Sequence, residues 1–411
     1  MKLRDIARKA LIAPSLKDFV INMLPGQEDR SLSAAISGVT VNENSALTNT
    51  TFYACVRLLS ETYASLPLML YRRLGRGKER ALDHSLYTLL HDQPNPEMNS
   101  FIFRETQMNH LLTWGNAFSQ IEWQDRTTVK ALWPMLPDRT QVSRDPLTGQ
   151  IVYRYHTGDN RGLITLPSYQ VLHIPGLGYD GMVGYSPITL VRKALALSMA
   201  TENFGSKFFE NGAHASGVLE SPNKYSDVAF GRLKKDFASQ ISGDDIHKPL
   251  ILEEGLKWHE LSIPPEDAQF LETRKFQKGE IASFFHVPPH MIGDLEHATF
   301  SNIEEQALEF VVYTMRPWLV RSEQAMNMKL LNPGERPDYF TEFLVDALLR
   351  GNLQARYQAY AIARNWGWLS ANDIRELENM NPLPDDQGDT YLSPLNMTPA
   401  DQLNTLLNKP K

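Results

Sequence analysis

HVPPHMIGDLEHATFSNIEEQ, residues His286–Gln306, brings three histidines, an aspartate and several glutamates together around a double proline. Those residue types suit a metal site, and they suit a hinge between two helices equally well. Two histidines four residues apart share a face only on an unbroken helix, and Pro288 and Pro289 separate His286 from His290. The glutamate of the zincin motif is missing too. Asp294 and Glu296 have no apolar run beside them that would lift a carboxyl pKa for acid–base work, so they read as solvated. What remains is a hinge. Proline lacks the backbone donor and clashes with the preceding turn, which stops a helix at Val287–Pro289. Ser301 with Glu304 forms a capping box that starts the next one.

Working outward, the hinge follows two helical stretches with a small β unit between them. Ser226–Ile241 (SDVAFGRLKKDFASQI) predicts a helix of about 16 residues, roughly 24 Å long. Pro264–Phe285 predicts a second of about 20 residues, near 30 Å, with one packed and one wet face. His247–Ile263 reads as two short strands turning at Glu254-Gly255, with Glu253-Glu254 and Asp244-Asp245 as turn residues. Together these make a stalk with a cap. Downstream, Ile303, Ala307, Phe310, Val311 and Thr314 open a long helix running to Leu330, and Pro317 inside it predicts a kink near Tyr313.

The N-terminal half reads as an α+β domain over residues 46 to 180. A helix begins near Asn49, with Phe52, Cys55, Val56, Leu59 and Tyr63 on its buried face, and Pro67 ends it. LPLMLYRRLG then reads as a strand entering a basic surface turn, Arg72 to Arg80. A short helix closed by Pro94 and Pro96 comes next. The following helix is capped by Ser100 or Asn99, with Phe103, Gln107, His110 and Leu111 on one side. Beyond Gly115 the stretches NAFSQIEWQ, VKALWPML, QIVYRYHT and SYQVLHIPG read as strands. Ser186 and Pro187 start a helix with an apolar stripe of Leu190, Ala194, Leu197 and Ala200, continuing to Phe204 and Phe208, and Asn211-Gly212 stops it. SGVLESP returns as a strand. Residues 1–45 resemble an arm that stays loose or packs on a neighbour. After Asp346 the chain is helical to Gly367 and again from a Ser370 cap, before a Pro- and Asp-rich tail.

Composition narrows the function. The 411 residues carry 41 Lys and Arg against 48 Asp and Glu, a formal charge of −7. Tight DNA binding through phosphate neutralisation needs a basic excess, and the strongest basic run, Arg232 to Lys235, has only three charges. A single cysteine, Cys55, in an apolar helical context rules out a disulfide scaffold and reads as a small buried hydrophobe. No signal-peptide-like segment and no run of about 18 apolar residues is present, so a reducing cytosol and no membrane are expected. Gly176, Gly178, Gly181 and Gly184 fail both phosphate-loop and dinucleotide spacings. Serines in nucleophile-elbow context are absent as well, so no cofactor and no enzymatic centre are expected. Aromatics between Phe118 and Trp133 lie on strands with few basic residues and read as packing rather than base stacking.

Several segments together resemble one family, the portal proteins of tailed bacteriophages of the siphovirus type. They are SALTNTTFYACVRLLSETYASLPLMLY (Ser45–Tyr71), VGYSPITLVRKALALSMATENFGSKFFENGAHASGVL (Val183–Leu219) and LILEEGLKWHELSIPPEDAQFLETRKFQKGEIASFFHVPPHMIG (Leu250–Gly293). ATFSNIEEQALEFVVYTMRPWL (Ala298–Leu319) and LSANDIRELENMNPLP (Leu369–Pro384) complete the set, and the likeness covers about 45 to 390. The resemblance implies an α+β portal fold assembling as a ring, typically of twelve subunits. Its parts would be an N-terminal arm (1–45), an α+β wing (46–224), stem helices (225–242 and 266–286) and a small β-containing clip (243–265). A tunnel loop (287–302), a kinked helix with wing return (303–339), crown helices (340–390) and a flexible tail (391–411) would follow.

The implied role is the channel at the unique capsid vertex of the virion, assembled in the host cytoplasm. Through it a terminase motor packages double-stranded DNA, which later leaves by the same route. By the same likeness Met291, Asp294, Leu295, Glu296, His297 and Thr299 would face DNA, and Pro317 would mark the helix kink. Negative charge from Asp294 and Glu296 would discourage tight phosphate binding, tempered by His297, whose charge depends on pH. Lys248, Glu253, Glu254, Lys257 and Trp258 would meet the large terminase subunit and then the head–tail adaptor. The major capsid protein is the further implied partner. A head–tail adaptor ring without a packaging role is the alternative, although adaptors are commonly shorter and need no stalk, loop and kinked helix.

Overall fold

The computed structural model describes residues 39–158, 162–210, 217–221, 226–241, 256–260, 267–295, 306–345, 353–378, 380–384 and 387–392. The chain divides into two compact units, Met1–Leu344 and Val345–Lys411. Among the described residues no helix is long and apolar enough to cross a membrane.

Among the described residues the first unit begins with a short helix, α1 (Glu43–Ala46), whose start is fixed by a reciprocal capping box between Asn42 and Ser45. Val41 beside it is buried, so the end of the expected arm packs into the body. In α2 (Thr50–Ser65) the Asn49 side chain accepts from the Phe52 N–H and also donates to Ser198 Oγ at 2.9 Å. Phe52, Cys55, Val56, Leu59 and Tyr63 are all buried along its inner face, as their spacing predicts. Burial pushes the Cys55 thiol up to about 12, so it stays protonated.

β1 (Leu68–Arg73) and β2 (Lys78–Arg80) form a hairpin, which accounts for the basic turn. The helix α3 (Ser85–His91) follows, and α4 (Ser100–Trp114) is capped by the Asn99 side chain, which accepts from Ile102 N–H. Ser100 instead donates its hydroxyl to the His91 carbonyl. The strands β3 (Asn116–Trp123), β4 (Val129–Met135), β5 (Thr140–Arg144), β6 (Ile151–His156), β7 (Leu163–Pro167) and β8 (Val171–Pro175) build two antiparallel sheets, ordered β4-β3-β8 and β5-β6-β7. Two of these strands, β5 and β7, go beyond the four stretches that the sequence pattern marks. They are short outer strands of a three-stranded sheet, with few buried positions and no strict alternation. Phe118, Tyr153 and His173 pack between the sheets, with the Phe118 and His173 rings 4.3 Å apart.

The glycines around 176–184 prove to be a packing device. Gly115 ends α4 at φ 76°, and a Cβ placed there would lie 1.9 Å from the Tyr185 carbonyl oxygen. A Cβ at Gly184 would lie 2.1 Å from the Gly115 oxygen. Two backbone segments therefore touch where only hydrogen fits.

The long helix α5 (Pro187–Glu210) starts at Ser186, whose hydroxyl accepts from Thr189 N–H. Its packed face differs from the expected stripe. Ile188, Val191, Leu195 and Ala196 are buried, whereas Leu190 and Leu197 are each 54% exposed and Phe204 is 55% exposed. The helix carries apolar residues on two faces, and periodicity alone cannot say which one meets this chain's own core.

β9 (Gly217–Glu220) lies before α6 (Asp227–Ile241), and β10 (Lys257–Glu260) before α7 (Asp267–Phe284). The two predicted stalk helices are thus present, with 15 and 18 residues. β10 pairs antiparallel with β9, from Lys257 opposite Glu220 to Glu260 opposite Gly217. The other strand of the expected hairpin and its turn at Glu254-Gly255 lie outside the described residues, as do the Asn211-Gly212 stop and the Ser301–Glu304 capping box. A π-helical turn, Phe310–Met315, leads into α8 (Arg316–Leu330), and β11 (Tyr339–Phe343) closes the unit by pairing with β1 from Leu68–Phe343 to Arg72–Tyr339.

The second unit contains α9 (Leu353–Asn365) and α10 (Ala371–Leu377). Gly367 has φ 71°, and Ser370 and Asp373 form the capping box that starts α10, as expected.

Candidate functional site: a hinge between two helices

Where α7 ends, Phe285 is buried and its ring meets Phe52 edge-on at 5.3 Å. His286 then adopts φ 54°, a left-handed conformation that costs a non-glycine residue energy and needs firm surroundings to persist. Its surroundings supply two restraints. The Val287 N–H donates to the Ala282 carbonyl at 2.9 Å, and the Thr314 hydroxyl donates to the His286 carbonyl at 2.6 Å. Val287 is buried behind them.

Pro288 leads into a single 3₁₀ turn, Pro289–Ile292, and Gly293 ends it at φ 85°. Asp294 N–H donates to the Pro289 carbonyl at 3.0 Å, folding the turn back on itself. Met291 is half-buried in this turn, and Leu295 beyond it is 66% exposed. Glu296, His297 and Thr299 lie outside the described residues, so of six expected loop positions three can be placed.

The far side of the hinge is the π turn. The Arg316 N–H reaches back five residues to the Val311 carbonyl, the signature of a widened helix. Pro317 lies one residue further on, in the first turn of α8, where its missing donor costs least. Phe310, Val311, Thr314 and Met315 are buried, while Tyr313 is 71% exposed. The widened turn brings Thr314 to the His286 carbonyl. Spacing puts Thr314 on the packed face of the helix, but its partner across the hinge leaves no trace in the sequence.

α7 is anchored to α5 above the hinge. Gln277, which is buried, donates to Thr201 Oγ1 at 3.1 Å, and Arg274 pairs with Glu202 at 3.3 Å. At the strand pair β9–β10, the His259 ring nitrogen Nε2 and Glu220 Oε2 are 2.8 Å apart. Lys257 is exposed there, and the backbone of Trp258 faces that of Leu219. Lys248, Glu253 and Glu254 lie outside the described residues.

Among the described residues no three His, Cys, Asp or Glu side chains converge to hold a metal ion. His286, exposed, and His290, half-buried, lie on different turns with the two prolines between them. The arrangement offers a fastened root, held by the Thr314–His286 bond, from which the chain leaves α7 through Asp294 and the exposed Leu295.

Residues 50–379 match the family model described as phage portal protein. The chain is 35% identical over 378 residues to a protein described as a probable portal protein from Streptomyces phage phiC31, covering 89% of this chain and 82% of that one. It is 31% identical over 373 residues to the portal protein of Enterobacteria phage HK97, covering 89% and 86%. Its fold matches, at a TM-score of 0.55 and 23% identity, a chain in the neck of a native gene transfer agent particle solved with twelvefold symmetry, over 86% of this chain and 99% of that one.

Proposed function

The chain belongs to the phage portal protein family, and from that premise we propose that it forms the ring-shaped channel at one capsid vertex, through which double-stranded DNA is packaged and later ejected. The ring has twelve subunits, joins head to tail, and works with the large terminase subunit, the major capsid protein and a head–tail adaptor. Its place is the virion. The observation that carries this reading is the family match over residues 50–379, a span that includes both stalk helices and the hinge.

Within that reading α6 and α7 are the stem, residues 243–265 the clip and residues 287–302 the tunnel loop. The loop would project Asp294, Leu295, Glu296, His297 and Thr299 from Met291 toward the DNA. A fastened root supports this role, because the Thr314–His286 bond holds the base from which the loop leaves α7. Acidic side chains on a channel wall weaken contact with phosphate, so the polymer slides. The clip, with Lys248, Glu253, Glu254, Lys257 and Trp258, is the tip that meets the motor and then the adaptor. The exposed Leu190 and Leu197 face of α5 suits coverage by a neighbouring copy.

Native mass spectrometry of the purified chain tests the ring. Twelve copies of the 46.7 kDa chain come to about 560 kDa. A monomer or dimer at every concentration, with capsid protein present as well as absent, would overturn the reading.

A further inference from the structure

A groove of about 1300 Å³ opens in the first unit between the β3–β4 turn, the β5–β6 turn, the 3₁₀ turn Ser168–Gln170 and the end of α8. Four cations line it: Arg126, Arg144, Lys329 and Arg336. This is unexpected in a chain whose net charge is −7. Among the described residues none of the four is paired with a carboxylate.

Three of them are instead held in place by neutral oxygens. Lys329 donates to the carbonyl and hydroxyl of Ser168, both at 2.7 Å. Arg336 donates to the carbonyls of Met328 and Leu331, and Arg144 to that of Gly149 at 3.0 Å. Such bonds orient a charge without cancelling it. Arg126 is exposed and makes no hydrogen bond among the described residues.

The one acidic side chain on the wall, Asp125, is occupied. It accepts from the N–H groups of Thr127 and Thr128 and from the Thr127 hydroxyl. Burial and the charge of Arg336 push the Lys329 amine down, in keeping with a crowded positive site.

The groove also has apolar walls. Trp123 lies on one of them, and Tyr169, 61% exposed, lies beside it. Phosphate recognition alone needs no such surface, whereas a protein segment carrying both carboxylates and apolar side chains would use both halves. We infer that this groove is a docking site for an extended acidic peptide segment of a partner protein, its carboxylates meeting Arg126, Arg144, Lys329 and Arg336 and its apolar side chains meeting Trp123 and Tyr169.

The test uses the full-length chain and a fluorescein-labelled peptide of about eight alternating glutamate and leucine residues, near 26 Å when extended. Fluorescence anisotropy should show saturable binding that weakens as salt rises. The same peptide with glutamine in place of glutamate should bind at least about tenfold more weakly, and so should the acidic peptide to the Arg126→Glu/Arg144→Glu variant. Arg126→Gln, at a side chain with no hydrogen bond among the described residues, should weaken binding on its own and serves if the double variant misfolds. Equal binding of the two peptides, or unchanged binding to both variants, would overturn the inference. A short DNA duplex that displaces the peptide and loses affinity in the same variants would overturn it in favour of a nucleic-acid site.

Discussion

Gly115 and Gly293 both adopt positive φ, yet they are under different demands. At Gly115 a Cβ would collide with the Tyr185 carbonyl, and at Gly293 it would meet nothing within 4 Å. Gly115→Ala is therefore expected to cost about 2–4 kcal/mol, and Gly293→Ala only about 1 kcal/mol. Chemical denaturation of the two variants side by side checks the contrast. Asn49 carries two duties, capping α2 and bonding Ser198 in the core. Asn49→Ala should lose about 1–2 kcal/mol in the same experiment. Two buried histidines make stability depend on pH. Burial pushes His110 down to about 4, and burial together with Lys329 pushes His173 down to about 3, from 6.5 in each case. Between those values the unfolded chain binds more protons than the folded one. Their contribution is thus fully present above about pH 6.5, falls as the pH is lowered, and levels off below about pH 3. His173→Gln should flatten the decline in thermal midpoint between about pH 7 and pH 5.

Elements that announce themselves at their ends are legible in the amino-acid sequence. Asn49, Ser186 and Ser370 mark helix starts by chemistry local to a few residues, and the caps stand where those residues put them. Pro288 and Pro289 stop α7 for the same reason. Features that depend on distant partners are not legible. Leu190 and Ile188 are equally apolar, and only the neighbours of α5 decide that Ile188 goes inside. β5 and β7 have few buried positions, so alternation is weak there. The candidate site divides along the same line. The helix stop at the two prolines follows from sequence, whereas the Thr314–His286 bond that fixes the hinge spans 28 residues. Replacing Thr314 with Val removes that donor and leaves the His286 carbonyl without it, at an expected cost of about 1–2 kcal/mol. Hydrogen exchange at residues 286–295 should rise in Thr314→Val and return toward normal in Thr314→Ser.

For the whole molecule, the portal reading makes a charge prediction. Asp294→Lys with Glu296→Lys turns an acidic loop into a basic one, and rings of unchanged native mass should then package less DNA. Nuclease-protected DNA per capsid measures the loss, and a fall that also appears in ring yield would point to assembly instead. One last property follows from the pairing of β1 with β11. Leu68 meets Phe343, so 275 residues (343 less 68) must be made after Leu68 before its partner exists. At about 5–20 residues per second a ribosome needs roughly 15 to 55 s for that interval. Throughout it β1 has β2 on one side and a bare hydrogen-bonding edge on the other, flanked by Leu68 and Leu70, which are buried once folding is complete. Ribosome-bound chains stalled before Tyr339 should accordingly stay open to protease near β1, and closure must wait until the strand that completes the sheet has cleared the exit tunnel. A chain that has yet to make Phe343 owns no finished sheet, so contacts that need this sheet form only late in synthesis or after release.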